Sequence, residues 1–193
     1  MKNFLLLVLP FVVLSCVHRL PTPEGIKDIS TSEYEDMVES KTKKTEVYDG
    51  LYNKLTVQTT RLDADMSENL TAYQAKLGQW SLQKYKEEKA KIISKHSDST
   101  EFFMSFYTPE RKHDNLNTTR SSWKVYLEVS GQRYEGKITK IKDLYLDIET
   151  LYPHHNRWAS PYSVVFPVST PATDGKPATI TVTGPLATTQ LVY

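Results

Sequence analysis

Only one cysteine, Cys16, occurs in the chain, so an intrachain disulfide framework and a cysteine-based zinc cluster are both excluded. The seven glycines never fall two positions apart, which removes GxGxxG. GxxxxGK followed by Ser or Thr is missing too, so the common phosphate-cradling loops are absent. A charge excess is also lacking: without Lys2, basic and acidic side chains both number 23. A net-neutral surface has no global positive field to draw in a polyanion, and no nucleic-acid partner is expected. No apolar run reaches membrane-spanning length. Phe4 to Leu14, broken by Pro10, would cover ~16 Å as helix, about half a bilayer core. What is present is enough apolar material for a core, 39% of 193 residues, and a length that suits one domain with an appendage.

Lys2, the short apolar stretch and then small Ser15 follow the order of a secretory signal peptide over residues 1–15. Val13-Leu14-Ser15-Cys16 resembles the lipobox of bacterial lipoproteins, with Leu14 where a small residue is commoner and Val13 in place of Leu. The resemblance implies cleavage before Cys16, lipid attachment at Cys16, and a membrane partner reached through that anchor. Val17 follows, not the Asp linked to inner-membrane retention in some bacteria, which implies the outer membrane of a bacterial cell envelope. It covers about the first tenth of the chain and says nothing of the body.

Residues 16–45 read as the lipidated terminus and a polar tether rich in Thr, Ser, Pro, Glu and Lys. Ser32 and Glu35 have capping-box spacing for a short helix inside it. The body is expected over residues 46–193. Leu51 to Thr60 alternates as a half-buried strand. A helical insert at 66–95 follows, as two short helices or one kinked helix: Met66, Leu70, Tyr73, Leu77 and Trp80 recur at helical spacing, Gly78 and Ser81 suggest a break, and Ser81 reads as the cap of the second stretch. Strands resume with the aromatic run Glu101–Tyr107. Trp123, Val125, Leu127 and Val129 then alternate with Lys124, Tyr126 and Glu128 ahead of a turn at Ser130-Gly131 that makes a hairpin with Arg133–Ile141. Further strands are expected at 144–149, 162–168 and 179–183, with a last hairpin around Gly184-Pro185.

About eight short strands with a helical insert predict a mainly β, α+β fold. Their number and spacing, with Trp123 on a central strand, resemble an antiparallel immunoglobulin-like β-sandwich in architecture, without the Cys…Trp…Cys signature. A closed β-barrel is the alternative. The insert is expected to cap one open end of the sheets.

The densest cluster of chemistry-bearing side chains is Tyr152, His154, His155, Arg157 and Trp158, in a predicted loop. Two readings stand. As a ligand tip, Trp158 and Tyr152 stack on a sugar ring or apolar group while Arg157 meets a carboxylate. As a structural corner, the rings are buried and Arg157 staples the loop. Adjacent histidines point apart on an extended chain, so no metal site is expected. His113-Asp114 lacks a nucleophile in a recognisable context. Ser81-Leu82-Gln83-Lys84 matches SxxK without its companion motifs. Asp147 and Glu149 read as a solvent face rather than a glycosidase pair, and the lysines at 124, 137, 140 and 142 as edge protection.

With no assembled catalytic motif and no cofactor signature, the sequence points to a non-catalytic envelope lipoprotein binding an envelope protein or glycan. The alternatives are a periplasmic hydrolase or a carrier of a small ligand, with a site near His154–Trp158. Each acyl methylene contributes ~0.8 kcal/mol to membrane binding, so two chains hold firmly. Cys16→Ser should therefore move the protein from the detergent-soluble membrane fraction to the soluble one; unchanged partitioning contradicts lipidation.

Overall fold

The computed structural model describes residues 20–193. The signal segment 1–15, Cys16 and the first residues of the expected tether lie outside the described residues. The elements run α1 (Thr31–Ser40), β1 (Thr42–Asp49), β2 (Tyr52–Leu62), α2 (Ala64–Leu77), α3 (Leu82–Asp98), β3 (Thr100–Tyr107), β4 (Lys124–Val129), β5 (Gln132–Glu135), β6 (Lys137–Lys140), α4 (Tyr145–Leu151), β7 (Ser160–Phe166), α5 (Thr170–Thr173), β8 (Ala178–Thr183) and β9 (Thr188–Val192). They build two open antiparallel sheets, A in the order β1-β2-β3-β7-β6 and B in the order β5-β4-β8-β9. Neither sheet closes on itself, which corrects the barrel alternative. Among the described residues no helix is long and apolar enough to cross a membrane.

The inner faces of the two sheets share one core. Leu55, Val57, Phe102, Met104, Phe106, Tyr162, Val164 and Phe166 come from sheet A, and Val125, Leu127, Val129, Ile180, Val182 and Leu191 from sheet B. The register expected for β4 holds: Trp123, Val125, Leu127 and Val129 are buried, while Lys124 is exposed and Tyr126 and Glu128 half-buried. Trp123 closes one end of this core. Its ring meets Phe106 edge-on at 5.0 Å, and its indole N–H donates to the His113 carbonyl at 2.8 Å. Gly184 lies so close that an added Cβ would come within 2.1 Å of the Trp123 ring. The hairpin expected through residue 141 breaks at Gly136. β5 stays in sheet B and β6 joins sheet A, and a Cβ at Gly136 would strike Val164 at 2.7 Å. The chain can change sheets there because glycine leaves room for the crossing.

Sheet A is covered on its outer face as well. β3 presents Phe102, Met104 and Phe106 inward and Phe103 outward, where it joins Tyr34, Val38, Leu62, Met66, Tyr73, Tyr85, Ile148 and Tyr152 in a second apolar cluster. The helical insert thus packs over this face rather than capping the end of the sheets. Its two helices form as expected, with Asp63 accepting from the Met66 amide at 2.9 Å and Ser81 from the Lys84 amide at 3.2 Å.

Three further expectations are overturned. Residues 26–45 are not a free tether: Ile26, Ile29, Tyr34 and Val38 are buried, and β1 begins at Thr42. The capping box is Ser30 with Glu33, not Ser32 with Glu35. Tyr34 stacks on Tyr73 at 4.1 Å and donates to the Leu151 carbonyl at 2.8 Å. A sparsely apolar segment orders here because each of its few large side chains meets a partner surface in the insert. The strand expected at 144–149 is α4. Ile148, Leu151 and Tyr152 make the covered helical face, whereas Leu144 and Leu146 stand exposed. A window of six residues is too short to separate a period of 2 from one of 3.6.

Removing a large buried aromatic typically costs ~3–5 kcal/mol. Trp123→Ala should lose about that much in a denaturant melt. Gly184→Ala should be destabilised in the same assay, since Trp123 cannot retreat from the new methyl. A wild-type midpoint for either contradicts the packing.

Candidate functional site

The chain leaves α4 through a tight turn and crosses the outer face of sheet A. Tyr152 N–H donates to the Ile148 carbonyl at 2.7 Å and His155 N–H to the Tyr152 carbonyl at 2.8 Å. This turn lays Tyr152 flat on Phe103, ring centroids 3.7 Å apart and planes within 2°. Both following imidazoles meet Phe103 edge-on, His154 at 5.7 Å and His155 at 5.9 Å. His155 Nδ1 lies 2.8 Å from Ser105 Oγ. His154 is held twice, by Gln58 Nε2 donating to its carbonyl at 3.0 Å and by Thr60 Oγ1 lying 3.3 Å from Nε2.

Burial disfavours the imidazolium. It pushes His154 down to about 4, with neighbouring His155 adding to the effect, and lowers His155 against the opposing pull of Glu149. Tyr152, His154 and His155 therefore form the structural corner: neutral rings that dock the loop on Phe103 and Ser105. Among the described residues neither imidazole has a carboxylate hydrogen-bond partner, as a general base held by an acid would.

Beyond His155 the loop turns outward. Trp158 N–H donates to Asn156 Oδ1 at 2.9 Å and Ala159 N–H to the Asn156 carbonyl at 3.1 Å. Trp158 is 63% exposed, with the Arg157 guanidinium 5.9 Å from its ring centroid. The ring borders a depression of about 300 Å³ lined by Asn156, Tyr107, Thr56, Gln58, Lys44 and Glu46. Past Lys44 and Gln58 the floor meets a second hollow of about 550 Å³, walled by Glu35, Val38 and Glu39 of α1 and by Pro153 and His154. Lys44 and Glu46 pair at 2.7 Å across this floor, and that contact holds the Glu46 carboxyl below its usual range. The arrangement is one exposed indole beside a shallow trough of amides, hydroxyls and a paired charge.

The remaining candidates fall elsewhere. Asp114 accepts from Ser160 at 2.5 Å and from the Tyr162 hydroxyl at 2.9 Å, while Lys140 donates to Ser160 Oγ at 2.9 Å. Both sides of that hydroxyl are occupied, so it is a structural tie and not a primed nucleophile. His113 lies 3.6 Å from Glu110 and supports Trp123 through its carbonyl. Asp147 is exposed and Glu149 half-buried on α4, and Ser81 is a helix cap. Among the described residues no group of three or more His, Cys, Asp or Glu converges as metal ligands would. The floor residues Lys44, Thr56, Gln58 and Tyr107 escaped the sequence reading. The only signal was the polar parity of β2, which looks the same on a bare solvent face. Comparison of the chain with protein-family models, curated proteins and solved structures finds no match.

The corner and the tip respond differently to mutation. Tyr152→Ala should cost ~3–5 kcal/mol, whereas Trp158→Ala should leave the melting midpoint nearly unchanged. Equal losses contradict the division. For His154 the folded value lies below the unfolded one of about 6.5, so the unfolded chain takes up its proton first as the pH falls. Its contribution is full above pH 6.5 and disappears toward pH 4, up to roughly 3 kcal/mol. His154→Gln should flatten that limb of a stability–pH profile; an unchanged slope contradicts a buried neutral His154.

Proposed function

We propose that this chain is a lipid-anchored bacterial envelope protein whose body is a non-catalytic, glycan-binding module. The single observation that carries the reading is Trp158, an exposed indole projected over a polar trough by a loop whose base is buried. A sugar offers an apolar C–H face and a ring of hydroxyls. Trp158 matches the first, and Gln58, Asn156, Thr56 and the Lys44–Glu46 pair match the second. Tryptophan and arginine are also the residues that most often carry interface energy. The lipobox-like Val13-Leu14-Ser15-Cys16 supports the anchor and the envelope location. The two-sheet body, with its chain crossing between sheets at Gly136, supports an immunoglobulin-like sandwich as the scaffold. The inter-sheet space is filled by side chains, which favours surface binding over carriage of a ligand within.

Isothermal titration of the full chain should show saturable binding of soluble hexose or N-acetylhexosamine oligosaccharides at about 1 mM. Loss of an anchor side chain costs roughly 2 kcal/mol, about 30-fold in affinity. Trp158→Ala should show that loss with its melting midpoint intact, and Trp158→Phe a smaller one. No response by the wild-type protein, or an alanine variant that binds equally well, overturns the proposal.

A further inference from the structure

Lys43 and Lys44 are neighbours on β1 and face opposite sides of sheet A. Lys44 lies in the Trp158 trough; Lys43 instead lines an open pocket of about 440 Å³ with Lys41, Arg61, Asp63, Lys176 and Tyr193. At its base Arg61 is only 7% exposed. One guanidinium nitrogen donates to the Thr173 carbonyl at 2.5 Å and approaches Asp174 at 3.5 Å, longer than a charge-assisted hydrogen bond. Its Nε–H is buried with no partner among the described residues.

The charges around Arg61 do not balance. Asp63 is taken by Lys41 at 2.5 Å. Among the described residues Lys176 donates only to the Ala172 carbonyl, at 2.8 Å. Neither Lys43 nor Lys176 has a carboxylate within salt-bridge distance among the described residues. On a chain with balanced basic and acidic counts, a local surplus of cations around a buried, under-satisfied guanidinium is a specific feature. A buried guanidinium whose carboxylate neighbour stands at 3.5 Å, beside lysines with no acidic partner, leaves a positive potential that an entering anion would offset.

We propose that this pocket is an anion site that takes a phosphate group. A guanidinium at the base with two lysines on the rim suits a tetrahedral dianion. Inorganic phosphate and the phosphate of a lipid headgroup share that chemistry. The site is independent of the Trp158 trough and stands whether or not the trough binds glycan.

The test is titration of the full chain with inorganic phosphate, followed by ³¹P line broadening and by melting midpoint, against sodium chloride at matched ionic strength. Glycerol phosphate serves as the headgroup probe. Because Arg61→Met can fail to fold, the informative variant is Lys43→Gln with Lys176→Gln. Phosphate should bind saturably and raise the midpoint more than chloride does. The double variant should lose about tenfold or more in affinity while keeping its phosphate-free midpoint. Equal binding of glycerol phosphate points to a headgroup, and binding of inorganic phosphate alone to the free ion. A response no larger than that to chloride, or full phosphate affinity in the double variant, overturns the proposal.

Discussion

Phe102 and Phe103 are consecutive on β3 and point to opposite sides of sheet A, and most of the remaining structure is organised around that pair. Phe102 meets Phe166 at 5.8 Å and Tyr193 at 5.3 Å inside the sandwich. Phe103 carries Tyr152, His154 and His155 on the outside and shares a cluster with α1 and α2. A strand apolar on both faces cannot leave either in water at low cost, since each buried phenyl contributes ~1.5–3 kcal/mol. Sheet B answers one side; the helices and the loop after α4 answer the other.

This explains which parts of the fold were legible in the sequence. Where one face is buried and the other wet, alternation identifies the register, as for Trp123 to Val129 and for Leu55 to Thr59. Glu101–Tyr107 has no clean alternation because both its faces are covered, and its near-continuous apolar character is the mark of such a strand. Recognising that would have required a third layer to be found for Phe103. The layer came partly from residues 26–45, whose composition resembles a linker. Their order rests on four large apolar side chains, too few to register in a compositional reading. α4 was misjudged for a related reason: only Ile148 among its alternating apolar residues is buried.

The candidate site was half legible. Its residue types drew attention to the 152–158 loop, but their division of labour depended on Phe103 and Ser105, some fifty positions earlier in the chain. The buried half of the loop holds the exposed half in place. Tyr152 and the two neutral histidines contribute docking energy, so Trp158 can remain in water without loosening the segment that carries it. An exposed side chain set on a rigid base in this way is pre-organised, with little conformational entropy left to lose in any contact it makes. The same economy appears at the opposite face of β1, where Lys43 and Arg61 are fixed by strands while their charges remain only partly matched.

The central claim is that Phe103 fastens the helical layer and the loop to a sandwich that has its own core. Native-state hydrogen exchange of Phe103→Ala addresses it directly. The account predicts that amides of α1, α2 and residues 152–155 lose protection, while those of β4 and β8 retain theirs to within the global change in stability. Uniform loss across both sheets, or unchanged protection in the helices and the loop, would contradict it.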